Sequence, residues 1–171
     1  MHKSAFTLVD YDSANPLHKE RFGALNREWL VRYFRVEDHD EAAFADPEGH
    51  VLESGGVLLF AQVGNEIIGT GSLVPMEKAV FEIAKMAVTD AWQGRGIGEQ
   101  MLVALIARAV QKNAQRLFIV SNTALEPAIR LYRKHGFADS AESRHGHYER
   151  GNITLERAME KQAVDKQASS G

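Results

Sequence analysis

Ala87-Val88-Thr89-Asp90-Ala91-Trp92-Gln93-Gly94-Arg95-Gly96-Ile97-Gly98 leads from an apolar, β-type stretch into a helical one through three alternate glycines. The first four N–H groups of a helix have no partner inside it, and with the helix dipole they favour an anion such as a pyrophosphate. Glycine removes the Cβ that would hold a phosphate away from the backbone, and Arg95 can add a charge-assisted contact. A glycine triplet alone is equally compatible with a plain tight turn between strand and helix. Spacing disposes of two other phosphate loops. Counted from Gly94 and Gly96, the third glycine of Gly-x-Gly-x-x-Gly would fall on Glu99, and no lysine follows where a nucleotide-triphosphate loop needs one.

Outward from this segment the periodicities alternate. Upstream, Val57 to Val63 and Ile67 to Val74 are β-branched and apolar, and Gly64-Asn65 between them suits a hairpin turn; Ala79 to Val88 reads as a third neighbouring strand. Further back, Phe6 to Val9 predicts a short strand. Phe22, Leu25, Trp29, Leu30 and Tyr33 lie at helical spacing after Asn15-Pro16, and an acidic helix is expected over Glu37 to Ala45. Asp46-Pro47-Glu48-Gly49 breaks that helix, and His50 to Ser54 adds one turn before Gly55-Gly56. Downstream, Ile97 to Val110 is helical, Leu117 to Val120 a strand, and Ala124 to Lys134 a helix with Pro127 in its first turn and Gly136 at its end. Tyr148 to Leu155 reads as a last strand, and Lys161 to Gly171 as a polar tail.

With 44% hydrophobic and 25% charged residues in 171, the chain suits one domain with one core. A net charge of -3 supplies no bulk positive field for nucleic acid or an anionic membrane, which leaves small molecules or peptides as partners. Cysteine is absent, so disulfides, thiolate metal sites and a cysteine nucleophile are excluded. No apolar run reaches the length of about 20 residues that spans a bilayer, and the start lacks an apolar signal core; a cytoplasmic location is expected. His145-Gly146-His147 invites a metal reading, but no matching carboxylate or second histidine pair stands at metal-ligand spacing, and no metal is expected.

Gln93-Gly94-Arg95-Gly96-Ile97-Gly98 resembles the Gln/Arg-x-x-Gly-x-Gly/Ala pyrophosphate loop of the GNAT superfamily of N-acetyltransferases. Glu82 to Val88 resembles that family's fourth strand, and Ser121-Asn122 through Gly136-Phe137 its second motif. The resemblance implies a single-domain α/β fold, a mixed, mostly antiparallel twisted sheet flanked by helices, over residues 1–157, with 158–171 as tail. It also implies acetyl-CoA as cosubstrate, a small-molecule or peptide amine as acceptor, and allows a homodimer. Main-chain groups of Met86, Ala87 and Val88 would pair with the pantetheine arm, and Gln93, Gly94, Arg95, Gly96, Ile97 and Gly98 would surround the pyrophosphate. Asn122 would contact the coenzyme arm, cap the following helix, or both.

Acetyl transfer from a thioester to an amine requires a proton acceptor for the amine and a donor for the leaving thiolate. Glu82 matches a glutamate that serves as general base in some family members, and Tyr132 the tyrosine that protonates the thiolate. Glu82 could instead be a solvent-facing strand residue, and Tyr132 a ring packed on the sheet. Strict alternation sets Glu82, Ala84 and Met86 on one face and Phe81, Ile83 and Lys85 on the other, unless a bulge intervenes. Tyr148, Arg150 and Asn152 would share a face of the last strand, and Glu28 and Arg32 would form a weak pair on the first helix. Without cysteine, transfer is expected to be direct, in a ternary complex. A coenzyme A-binding sensor module without catalysis is the alternative.

Overall fold

The computed structural model describes residues 5–144 and 149–160. Among them, seven strands form one sheet in the order β1-β2-β3-β4-β5-β7-β6: β1 Thr7–Asp10, β2 Val57–Val63, β3 Glu66–Glu77, β4 Val80–Val88, β5 Arg116–Ser121, β6 Ala138–Asp139 and β7 Ile153–Ala158. Every neighbouring pair is antiparallel except β4 and β5. The α-helices among the described residues are α1 Pro16–Tyr33, α2 Asp38–Ala45, α3 Ile97–Gln111 and α4 Glu126–Lys134, with single helical turns at Glu48–Leu52 and Asp90–Trp92. None of the helices described is long and apolar enough to cross a membrane.

Two apolar layers sandwich the sheet. On one face Met101, Leu102 and Leu105 of α3 pack on Leu59, Ile68, Leu73 and Ile83; on the other, Phe22, Leu25 and Leu30 of α1 and Phe44 of α2 pack on Leu58, Phe60 and Ile67. The 3.6-residue period of each helix meets the two-residue period of the strands, so both sheet faces are covered. Asn15 fixes the start of α1 by accepting the Leu17 N–H at 3.1 Å, with Pro16 in the first turn.

Three expectations are corrected. The last strand begins at Ile153 rather than at Tyr148; Arg150 lies in a turn ahead of it and Asn152 just before it, so the expected polar strand face does not form from them, while His145, Gly146, His147 and Tyr148 lie outside the described residues. Helix α4 begins at Glu126, and its N-cap position is Leu125 rather than Asn122. Asn122 Oδ1 instead accepts the Ala124 N–H at 2.8 Å, closing a turn ahead of the helix. Glu28 and Arg32 do not serve each other: Glu28 accepts from the Thr89 hydroxyl and the Asp90 N–H, and Arg32 pairs with Asp90. A helix-surface pair gives way here because a loop with open N–H groups lies within reach.

The correction that matters most for the site is a bulge in β4. Thr70 pairs with Ala87 and Ser72 with Ala84, so the single residue Gly71 faces both Lys85 and Met86. Lys85 takes up the extra residue with φ of 56°, in the left-handed region. Its side chain thereby joins Glu82 on the α1/α2 side of the sheet, while Met86 and Val88 pack toward α3 with Phe81 and Ile83. The alternation expected for Lys85 and Met86 is thus reversed beyond Ala84.

Candidate active site

Strands β4 and β5 run parallel and stay paired only at Val80, Phe81 and Glu82, opposite Arg116, Leu117 and Phe118. Beyond that point they separate, although β4 continues to Val88 and β5 to Ser121. Among the described residues, the edge of β4 from Ile83 to Val88 therefore has no strand partner on its β5 side, and its amide groups face a gap. That gap is part of a cavity of about 550 Å³. Its walls combine the β4 edge, the β5–α4 connection, the first turn of α3 and the last two turns of α1.

The glycine-rich loop closes one end. Gly94 and Gly96 have φ of 77° and 79°, which an L side chain adopts only at a cost, and a Cβ built on either would meet nothing within 4 Å. These glycines are therefore required by backbone conformation, and the loop presents open space in front of the N-terminus of α3. The loop is held from inside: Gln93 Nε2 donates to the Val88 carbonyl at 2.9 Å and to Asp90 Oδ1 at 3.2 Å. From outside, Thr89 and Asp90 are tied to Glu28 and Arg32 of α1.

Most of the residues expected at the site converge on the cavity. Glu82, Met86, Ala87, Val88, Gln93, Gly98, Asn122 and Tyr132 all line it. Gly94, Arg95 and Gly96 form the exposed loop beside it, the Arg95 guanidinium lying over the Trp92 ring at 4.6 Å, and the Ile97 side chain turns into the core. The Tyr132 ring packs on the α3-side core and meets Phe137 edge-on, with centroids 6.4 Å apart. Burial pushes its phenol up to about 12, so the hydroxyl keeps its proton at neutral pH.

A buried ionic network lies alongside, on residues that sequence spacing does not bring together. Asp40, 0% exposed, accepts Lys85 Nζ at 2.6 Å and both terminal nitrogens of Arg150 at 2.7 Å. Arg150 also reaches Glu37 at 2.8 Å, and the Glu37 N–H donates to Asp40 Oδ2 at 2.9 Å. Burial alone would raise the Asp40 carboxyl, but the hydrogen bonds from Arg150, Lys85 and the Glu37 backbone outweigh it and hold the group well below the usual carboxylate range. Burial lowers the Lys85 ammonium, with Asp40 opposing the shift. Glu37, His39 and Asp40 bring three ligand-type atoms within 4.8 Å of one another, yet Lys85 and Arg150 already supply the positive charge there. The one sequence signal for this network is Lys85 itself, a cation inside an otherwise apolar strand segment.

The family model described as the acetyltransferase (GNAT) family matches residues 24–137, a span that contains the cavity-lining residues from α1 to α4, though not Arg150 and Gly151. The chain belongs to that family. It is thus an acetyl-CoA-dependent acetyltransferase. Over 104 residues it is 27% identical to the uncharacterized N-acetyltransferase YvbK of Bacillus subtilis (strain 168), an alignment covering 59% of this chain and 67% of YvbK. Its fold is similar to a GNAT-family acetyltransferase from Staphylococcus aureus Mu50, with a TM-score of 0.80 at 19% identity over 91% of this chain and 100% of the other. It is also similar to a GNAT-family acetyltransferase from Elizabethkingia anophelis solved with acetyl-CoA bound, with a TM-score of 0.67 at 23% identity over 90% and 98% of the two chains. The acetyltransferase is a mixed α/β protein with a mostly antiparallel open sheet, as the resemblance implied.

Proposed function

We propose that this acetyltransferase passes the acetyl group of acetyl-CoA directly to a primary amine, with Glu82 as general base and Tyr132 as general acid. The observation that carries the reading is the separation of β4 from β5 beyond Glu82, with Gln93 to Gly98 at one end of the gap and Tyr132 on its wall. An arm bearing amide groups suits the open edge at Met86, Ala87 and Val88, where it adds as a short strand. Asn122 stands across the gap from that edge; its amide already bonds the Arg150 carbonyl at 2.7 Å and the Ala124 N–H, which fixes its orientation. At the far end a pyrophosphate meets the open N–H groups from Gly94 to Gly98, with Arg95 beside them.

The acceptor nitrogen attacks the thioester carbonyl carbon and forms the new C–N bond while its proton passes to Glu82, directly or through a water. The C–S bond then breaks, and the sulfur takes the phenolic proton of Tyr132. The chain has no cysteine to carry the acetyl group, which supports direct transfer with both substrates bound together. Initial-velocity measurements with acetyl-CoA and an accepted amine test this. The reading expects intersecting double-reciprocal lines; parallel lines, the mark of a covalent acetyl-enzyme, contradict direct transfer.

A further inference from the structure

The acceptor half of the cavity carries information about the amine, provided that the protein transfers acetyl to an amine as proposed. The last two turns of α1 contribute Trp29, Leu30, Tyr33 and Phe34 to its wall. Trp29 lies 5.6 Å from the rings of both Tyr33 and Phe34, tilted by 48° and 46°, so the three form one aromatic surface rather than isolated side chains. Tilted and offset ring pairs at this spacing accept a further ring on the same terms.

The charges nearby set a second condition. Among the described residues, the two cations lining the cavity, Lys85 and Arg150, are directed into Asp40 and Glu37, with side chains 12% and 16% exposed. A carboxylate on the acceptor would have to compete with Asp40 for both of them. Glu82 lines the same wall and adds a negative charge, and an incoming ammonium also gains from the aromatic faces.

The third condition is size. The turn carrying Arg150 and Gly151 is anchored on α2 through Arg150, and on the β5–α4 connection through Asn122 Nδ2 to the Arg150 carbonyl and the Thr123 N–H to Asn152 Oδ1 at 2.9 Å. Arg150 and Gly151 line a cavity of about 550 Å³, a volume that suits a small molecule. We infer that the acceptor is a small primary amine carrying an aryl group and no carboxylate.

The test compares thiol release from acetyl-CoA with 2-phenylethylamine, n-hexylamine, spermidine, phenylalanine and a lysine-containing peptide. Acetyl-CoA binding is measured separately by calorimetry on each protein. The aryl amine is expected to give the highest kcat/KM, by roughly 10-fold or more over each other probe, the scale on which an apolar pocket discriminates. Trp29→Ala is expected to cut the ratio of 2-phenylethylamine to n-hexylamine by at least about 5-fold. Trp29→Leu, which keeps most of the core volume, should do the same if the alanine variant fails to fold. Equal or better turnover of spermidine, phenylalanine or the peptide overturns the inference, as does a ratio indifferent to Trp29. Acetyl-CoA binding with no turnover of the aryl amine also overturns it, while leaving the cofactor reading intact. Absence of acetyl-CoA binding removes both.

Discussion

Asp40 and Arg150, 110 residues apart in sequence, meet through two hydrogen bonds of 2.7 Å, each guanidinium Nη atom taking a different oxygen of the carboxylate. This pair and Lys85 fasten α2, the β4 bulge and the turn before β7 to one another beside the reaction cavity. Removing one partner of a buried pair strands the other's charge, which costs about 3–5 kcal/mol. Asp40→Asn removes the carboxylate that Lys85 and Arg150 share, leaving Arg150 with Glu37, and should shift the midpoint of a urea unfolding curve accordingly. Arg133→Ala, which removes an exposed pair with Asp139, should barely move it. Equal effects from the two would contradict the placement of Asp40.

The same network sets an acid limit. The folded-state carboxyl of Asp40 titrates below its unfolded value of about 3.9, so its contribution is fully present above that value and is lost as pH falls through the range beneath it. Thermal unfolding of the wild type should therefore drop steeply below about pH 4, and Asp40→Asn, though less stable at neutral pH, should show a shallower drop. Parallel acid limbs would contradict this.

Glu82→Gln and Tyr132→Phe each remove a proton-transfer group and should lower kcat/KM by about 100-fold or more, with acetyl-CoA affinity changed little. The Tyr132 phenol is pushed up to about 12, so below about pH 10 the basic limb of the rate profile should not reflect its ionisation. Its raised value also stabilises the fold below the unfolded value of about 10, a contribution lost as pH rises toward 12. Tyr132→Phe should remove that part of the alkaline decline, measured by thermal unfolding between pH 9 and 12.

In the glycine-rich loop, Gly96 and Gly98 should respond differently. Gly96 sits at φ of 79°, where an alanine costs about 1–2 kcal/mol, whereas Gly98 lies in the first turn of α3 with open space around its Cβ position. Gly96→Ala should weaken acetyl-CoA binding roughly 10-fold, as an energy of that size implies, and Gly98→Ala distinctly less. Calorimetric titration of both variants checks the ordering.

Features are legible in the sequence to the extent that their signals are local. The alternate glycines after an apolar strand, the hairpin at Gly64-Asn65 and the 3.6-residue period of α3 are short-range features, and each leads to the right element. The β4 bulge leaves no such mark, because Ala84-Lys85-Met86 alternates as well in a regular strand; it is the pairing with β3 that inserts a residue opposite Gly71. Asp40, Arg150 and Glu37 escape notice as a group since their meeting depends on where α2 and the turn before β7 land on the sheet. By its spacing Arg150 belongs to the last strand, yet that strand starts three residues after it, at Ile153. Trp29 and Phe34 are hidden for a related reason: aromatic residues near the end of an amphipathic helix read as core, and only the separation of β4 from β5 turns them toward a cavity.

Whether the gap between β4 and β5 receives acetyl-CoA for transfer to an amine is decided by calorimetric titration with acetyl-CoA, coenzyme A, NAD and ATP, followed by thiol release in the presence of amines. Saturable binding is expected for acetyl-CoA and coenzyme A but not for NAD or ATP, with thiol released only when an accepted amine is present. A protein that does not bind acetyl-CoA would refute this assignment of the gap.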